Sequence, residues 1–197
     1  MINFSENIVL ENRNVLLRPT VEKDLDSLKL ISTDNDIWKY TTNMLTNEVE
    51  LKQFINSAID ERNNRNRYTF IIFDKKIGEA AGSTAYGNIS TGDKRLEIGW
   101  TWLGIKFQGT GLNKNVKFLM LQYAFEKLGC ERVEFKTDVL NLQSRKALLN
   151  IGAVEEGILR SHTQMHSSRR RDTIYFSILK NEWEKLKNTT FDSFNNN

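Results

Sequence analysis

The stretch Gln108-Gly109-Thr110-Gly111-Leu112-Asn113 constrains the fold more than any other, because of what flanks it. Before it, Arg95-Leu96-Glu97-Ile98-Gly99-Trp100-Thr101-Trp102 reads as a strand. After it, Leu112, Val116, Leu119, Met120, Tyr123, Ala124 and Leu128 recur at the spacing of one buried helix face. A strand, a glycine turn and a helix together make an anion site: the glycines let the backbone approach a ligand, and the first unpaired helix N–H groups point at it with the positive dipole end. The expected occupant is a phosphate or pyrophosphate. A Walker loop needs a Gly-Lys-Ser/Thr ending that the chain lacks. A Rossmann fingerprint needs a third glycine where Lys114 stands. A turn that holds no ligand is the plainer alternative.

The 197 residues favour one domain, expected over 8–187, with 188–197 as a flexible tail on composition. Basic residues number 28 and acidic 25, and an excess of three is too small to argue for nucleic acid. No run approaches the roughly 20 apolar residues that span a bilayer, and Met1-Ile2-Asn3-Phe4-Ser5-Glu6 has no signal-peptide character. Cys130 stands alone, so no internal disulfide forms; it reads as a buried structural thiol, and a reducing cytoplasm is the expected home.

Val15-Leu16-Leu17-Arg18 reads as a strand, and Leu25, Leu28 and Ile31 mark a helix. Thr33 to Thr46 is irregular and carries Trp38 and Tyr40. A second helix begins near Asn47, with Leu51, Phe54, Ile55, Ala58 and Ile59 on one face. Tyr68–Phe73 and Ile77–Tyr86 read as strands around a turn. Val133, Phe135, Thr137 and Val139 alternate with polar residues, a strand's period. Asn141 caps a short helix stopped by Gly152, and Gly157–His166 with Asp172–Leu179 form a closing hairpin. Asn181 to Lys187 suits a last helix. This order predicts an α/β (α+β mixed) domain: one mixed, mostly antiparallel sheet of about seven strands with helices on both faces.

That order, with a Gln-x-x-Gly-x-small turn after the fourth strand, resembles the GNAT superfamily of acetyl-CoA-dependent N-acetyltransferases. Three segments in sequence bring it near the ribosomal-protein alanine and serine N-acetyltransferases: Leu96-Glu97-Ile98-Gly99-Trp100, Gln108 to Asn113, and Asn141-Leu142-Gln143-Ser144-Arg145-Lys146-Ala147. Asn113 departs from the family's usual Gly or Ala, though a short polar side chain tolerates unusual backbone angles. The resemblance implies that Gln108, Gly109, Thr110, Gly111, Leu112 and Asn113 hold the coenzyme A pyrophosphate. Lys114 and Lys117 either add charge there or are solvated surface lysines. It implies that strands four and five splay and that the pantetheine arm lies between them, against the backbone of Trp102 and Leu103. Trp100 and Trp102 are equally readable as sheet aromatics. Homodimers are common in the family.

Amide formation from a thioester needs a neutral amine, close approach, oxyanion stabilisation and a proton for the departing thiolate. Glu97 is the candidate base or substrate-orienting group; the alternative is a strand glutamate facing solvent or pairing with Arg95. By resemblance to the Asn-x-x-Ser pattern, Ser144 protonates or hydrogen-bonds the thiolate. Asn141 caps its helix and also contacts the cofactor. Direct transfer in a ternary complex is implied, since neither Cys nor Ser looks like an activated nucleophile. The acceptor is a primary amine, on a protein N-terminus or a small molecule, walled by Trp38 and Tyr40 unless these pack beneath the helix connection. A second reading is a non-catalytic acyl-CoA sensor or interaction module. His162 and His166 lack a third ligand, so no metal is expected, and Arg169-Arg170-Arg171 reads as a charged turn.

Overall fold

Val15 and Leu17 are fully buried while Leu16 and Arg18 are half-exposed, so the first predicted strand puts alternate side chains on either side of a sheet. The computed structural model describes residues 1–195. It holds eight strands: β1 (Leu10–Glu11), β2 (Val15–Pro19), β3 (Tyr68–Asp74), β4 (Glu79–Ser90), β5 (Arg95–Leu103), β6 (Arg132–Asp138), β7 (Val154–Gln164) and β8 (Arg170–Leu179). They lie in the order β1-β2-β3-β4-β5-β6-β8-β7. Every neighbouring pair is antiparallel except β5 and β6. The short β1, which pairs through Leu10 with Leu17, raises the expected seven strands to eight, and the splay falls between β5 and β6.

The helices are α1 (Leu25–Ser32), α2 (Glu48–Asn63), α3 (Leu112–Gln122), α4 (Leu142–Leu149), α5 (Lys180–Asn188) and α6 (Asp192–Asn195). Asn47 caps α2 by accepting from the Glu50 N–H at 3.0 Å, and Leu51, Phe54, Ile55 and Ala58 form its buried stripe. Two cores result. The larger packs α3, α5 and the C-terminal segment against the sheet through Val116, Met120, Phe135, Phe176 and Trp183. The smaller gathers Leu28, Trp38, Phe54, Ile55, Ile71 and Trp102 from α1, α2, the connection between them and the strands beneath. Among the described residues no helix is long and apolar enough to cross a membrane.

The composition of 188–197 suggested a flexible tail, and the structure corrects this for the described part. Phe191 is fully buried, its ring 5.6 Å from Phe118 and 5.9 Å from Trp183, and Phe194 packs 6.0 Å from Phe118. Burying one phenylalanine is worth about 2–3 kcal/mol, enough to dock a polar segment. The last two residues lie outside the described ones.

Candidate active site between diverging strands

β5 and β6 run side by side over only three rungs, Arg95 with Arg132, Leu96 with Val133 and Glu97 with Glu134. Beyond Glu97 the ladder stops and the strands part. The cause lies partly in β5 itself. Gly99 stands opposite Ala85 and Trp102 opposite Ser83, so Trp100 and Thr101 together face Thr84. This bulge holds Trp100 at φ +51° and puts one extra residue into β5 just past the point where it leaves β6. Gly87 makes room for it: a Cβ there would sit 2.5 Å from the Trp100 ring.

At the open end of the gap stands the glycine turn. Gly109 and Gly111 take φ +72° and +88°, and a Cβ at either would meet nothing within 4 Å. The Thr110 hydroxyl donates to the Phe107 carbonyl at 2.9 Å and accepts from the Leu112 N–H at 3.3 Å. The amides of Gly109, Thr110 and Gly111 have no acceptor among the described residues, and no side chain caps α3. Asn113 carries a buried Oδ1 without a partner among the described residues. An exposed turn of free N–H groups, leading into a gap between unladdered strands, fits an extended ligand with a diphosphate at one end.

Gln108 links the walls of the gap: its Nε2 donates to the Leu103 carbonyl at 3.0 Å, and its Oε1 accepts from Gln143 of α4 at 3.1 Å. Asn141 caps α4 by accepting from the Ser144 N–H at 3.0 Å, which leaves the half-buried Ser144 hydroxyl without a partner among the described residues. Lys114 holds its ammonium over the Phe191 and Phe194 rings, at 5.8 and 6.0 Å. Leu103 is buried at the end of β5, and Trp102 packs its ring into the smaller core, 5.0 Å from Trp38.

Glu97 neither faces solvent nor pairs with Arg95. Only 3% exposed, its carboxylate accepts from Asn88 Nδ2 at 2.6 Å and pairs with Lys136 of β6 at 3.0 Å. Arg95 instead meets Asp93 and Glu134. Gly99 is small for a reason: its Cβ would lie 2.6 Å from Glu97 Oε1. The Trp100 ring beside this group lies under two cations, Arg67 at 4.8 Å and Lys136 at 5.7 Å.

Lys117 is not a surface lysine beside the phosphates. It is 5% exposed on the inner side of α3, six residues past Gly111, with Nζ donating to Thr101 Oγ1 at 2.9 Å and lying 5.8 Å from the Phe135 ring centre. Burial brings its ammonium down to about 7, partly opposed by the charge of Glu97. Its position, one turn before Leu121 and two before Ala124, marked it as inward-facing in the helical period.

Trp38 is corrected as well. It is 1% exposed, its indole N–H donates to the Ser32 carbonyl at 2.8 Å, and it is a core residue rather than an acceptor wall. Tyr40 is half-buried, with Lys39 over its ring at 5.4 Å. The arginine run is not a plain charged turn. Arg169 pairs with the fully buried Asp138, Arg171 is buried and donates to Thr173 at 3.0 Å, and only Arg170 is exposed. His162 lies 3.1 Å from both Thr173 and Thr163 hydroxyls. No group of three His, Cys, Asp or Glu among the described residues is placed to hold a metal. Cys130 is fully buried, and burial pushes its thiol up to about 11.

Comparison with known proteins bears on the family and the fold. The family model described as an acetyltransferase (GNAT) domain matches residues 14–154. The chain is 28% identical over 178 residues to the uncharacterized N-acetyltransferase p20 of Bacillus licheniformis, covering 88% of this chain and 97% of that one. It is 33% identical over 110 residues to YdaF of Bacillus subtilis (strain 168), whose name proposes a ribosomal N-acetyltransferase; the match spans 56% of this chain and 59% of that protein. A crystal structure of a GCN5-related N-acetyltransferase from Brucella melitensis superposes with a TM-score of 0.87 at 28% identity, covering 95% of this chain and 85% of the other.

Proposed function

The chain belongs to the GNAT acetyltransferase family, and from that membership we propose that this N-acetyltransferase passes the acetyl group of acetyl-CoA directly to a primary amine in a ternary complex. The observation that carries the proposal is the coincidence of two features at one end of the sheet: strands that stop pairing after Glu97 and Glu134, and a glycine turn with free amides. The amides from Gly109 to Leu112, with Asn113 and Lys114, would hold the pyrophosphate. The free edge of β5 around Trp102 and Leu103 would accompany the pantetheine arm, and Gln108 and Asn141 would hold the walls in place. Acetyl-CoA supplies an activated acyl group on a good leaving group.

Glu97 is the proton acceptor for the amine or orients it. Its carboxylate is held by Lys136 and Asn88 at the closed end of the gap, away from bulk water, where charged and polar contacts act more strongly than at the surface. An α-amino group near pKa ~8 is neutralised more readily there than a lysine near ~10.4. That contrast, together with the name of the Bacillus subtilis relative, makes a protein N-terminus the first acceptor to try. Tyr40 stays a candidate for the acceptor wall. The free Ser144 hydroxyl would hydrogen-bond the departing thiolate. Cys130, with its thiol buried and near 11, forms no acyl-enzyme. One buried thiol and no disulfide suit the cytoplasm.

The test is calorimetry with acetyl-CoA, then thiol release against a panel of peptides with free N-termini and small amines. Heat on binding and amine-dependent release are expected. Absence of binding would refute the proposal; tight binding without release to any amine would identify an acyl-CoA sensor instead.

A further inference from the structure

We propose that Lys117 is a second catalytic residue of this site, the proton donor to the thiolate that departs when the acetyl group is transferred. The inference rests on the reading of the gap as the acetyl-CoA site. Lys117 projects from α3 into the space where β5 and β6 have separated. Its Nζ bonds Thr101 on one strand and lies over Phe135 on the other, both beyond the last rung at Glu97 and Glu134. The ammonium therefore spans the floor of the gap that the thioester arm would occupy. An ammonium has three N–H donors, and Lys117 uses one of them among the described residues. No carboxylate of the described residues lies within 4 Å of it. A buried cation so poorly paired destabilises the fold and is poised to meet an acceptor that arrives with a ligand.

The chemistry selects the sulfur. As the amine nitrogen bonds to the acetyl carbon, the carbon–sulfur bond breaks and its electron pair stays on sulfur. A proton passes from Lys117 Nζ to that sulfur, giving coenzyme A thiol and a neutral lysine. The proton lost from the amine nitrogen goes to Glu97, and exchange with water restores both groups. Burial has brought the Lys117 ammonium to about 7, on the acidic side of a thiol near ~8.5, so the transfer is downhill. The Ser144 hydroxyl, which keeps its proton at neutral pH, then serves as a hydrogen-bond donor. The charge that acts on Lys117 is that of Glu97 on β5, which opposes the effect of burial; Glu97 is itself paired with Lys136 of β6, and the buried Arg171 of β8 feels both Glu97 and Asp138. β4 contributes the neutral Thr84, whose hydroxyl lies 2.8 Å from that of Thr101.

The experiment is an ultraviolet titration of the thiolate of coenzyme A bound to wild type and to Lys117→Met, alongside kcat and KM for acetyl-CoA as a function of pH. In wild type kcat should fall above about pH 7 as Lys117 loses its proton, while the bound thiol ionises at a higher pH, near its free value of ~8.5; in Lys117→Met the alkaline fall should be absent. The variant should lose kcat roughly 10- to 100-fold, the low end for acid catalysis because a thiolate leaves with little help, and change KM less than about threefold. Thr101→Val, which removes the hydrogen bond that holds the ammonium, should move both readings the same way by less, and it serves as the test if Lys117→Met does not fold. A bound thiol that ionises below pH 7 in wild type, the same pH profile in wild type and Lys117→Met, or an unchanged kcat, would overturn the assignment to Lys117 and leave the acetyl-CoA site standing. Failure of wild type to take up coenzyme A would overturn the proposed function and this inference with it.

Discussion

Gly111→Glu separates binding from folding more cleanly than any other substitution here. Gly111 has φ +88° and an open surrounding, so a side chain there meets no atom within 4 Å. The cost to the fold is therefore conformational alone, about 1–2 kcal/mol for an L-residue in left-handed backbone. For a chain of this size that lowers Tm by about 2 to 8 °C. The effect on the ligand is far larger. A carboxylate about 4 Å from one phosphate charge, at an effective dielectric near 20, opposes it by about 4 kcal/mol, which weakens binding roughly a thousandfold. Gly111→Ala should show nearly the same Tm with a smaller loss of affinity. Calorimetry with acetyl-CoA measures the affinity and circular-dichroism melting the fold. If Gly111→Glu binds acetyl-CoA as wild type does while melting a few degrees lower, the turn does not hold the pyrophosphate.

Gly99→Ala should push the Glu97 carboxylate, 2.6 Å from the new Cβ, away from Asn88 and Lys136. If Glu97 takes up the amine's proton as proposed, a displacement of that order lowers kcat up to about 100-fold, so unchanged kinetics with a correctly folded variant would remove Glu97 from the reaction. Trp38→Phe should destabilise by about 1–3 kcal/mol, since it leaves the Ser32 carbonyl unpaired in the smaller core; denaturant unfolding checks this. Selective loss of one acceptor amine at unchanged stability would instead return Trp38 to the acceptor wall. Lys117 is held below its unfolded value near 10.5, so between about pH 7 and 10.5 the unfolded chain binds the extra proton. Wild type should therefore gain stability relative to Lys117→Met as pH rises through that window, by at most about 1.4 kcal/mol per unit. A difference independent of pH would place Lys117 in a better-solvated setting.

Much of the fold was legible because it is written in local periods. The alternation around Val133 and Phe135, the caps at Asn47 and Asn141 and the glycines of the turn each act within a few residues. What escaped depends on partners far apart in the chain. Glu97 meets Lys136 only because three rungs set the register of β5 and β6, so Arg95, its neighbour in sequence, was the natural but mistaken partner. Arg169 and Arg171 look like a solvated run until the hairpin folds them toward Asp138. Trp38 sits in a polar stretch that composition places at the surface, yet Trp102 and the Ser32 carbonyl draw it inside. Phe191 shows the same limit: one apolar residue among polar ones docks when Phe118 and Trp183 present a socket.

The glutamine pair at the mouth of the gap has a mechanical consequence. Near the apex the strands are riveted by three rungs and by the Glu97–Lys136 ion pair, so that end acts as a fixed pivot. At the far end Gln108 reaches Gln143 through a neutral, exposed contact of 3.1 Å, worth about 1 kcal/mol. Thermal energy alone undoes such a latch a sizeable fraction of the time. The cleft is thus built like a clothes peg, stiff at the spring and yielding at the jaws.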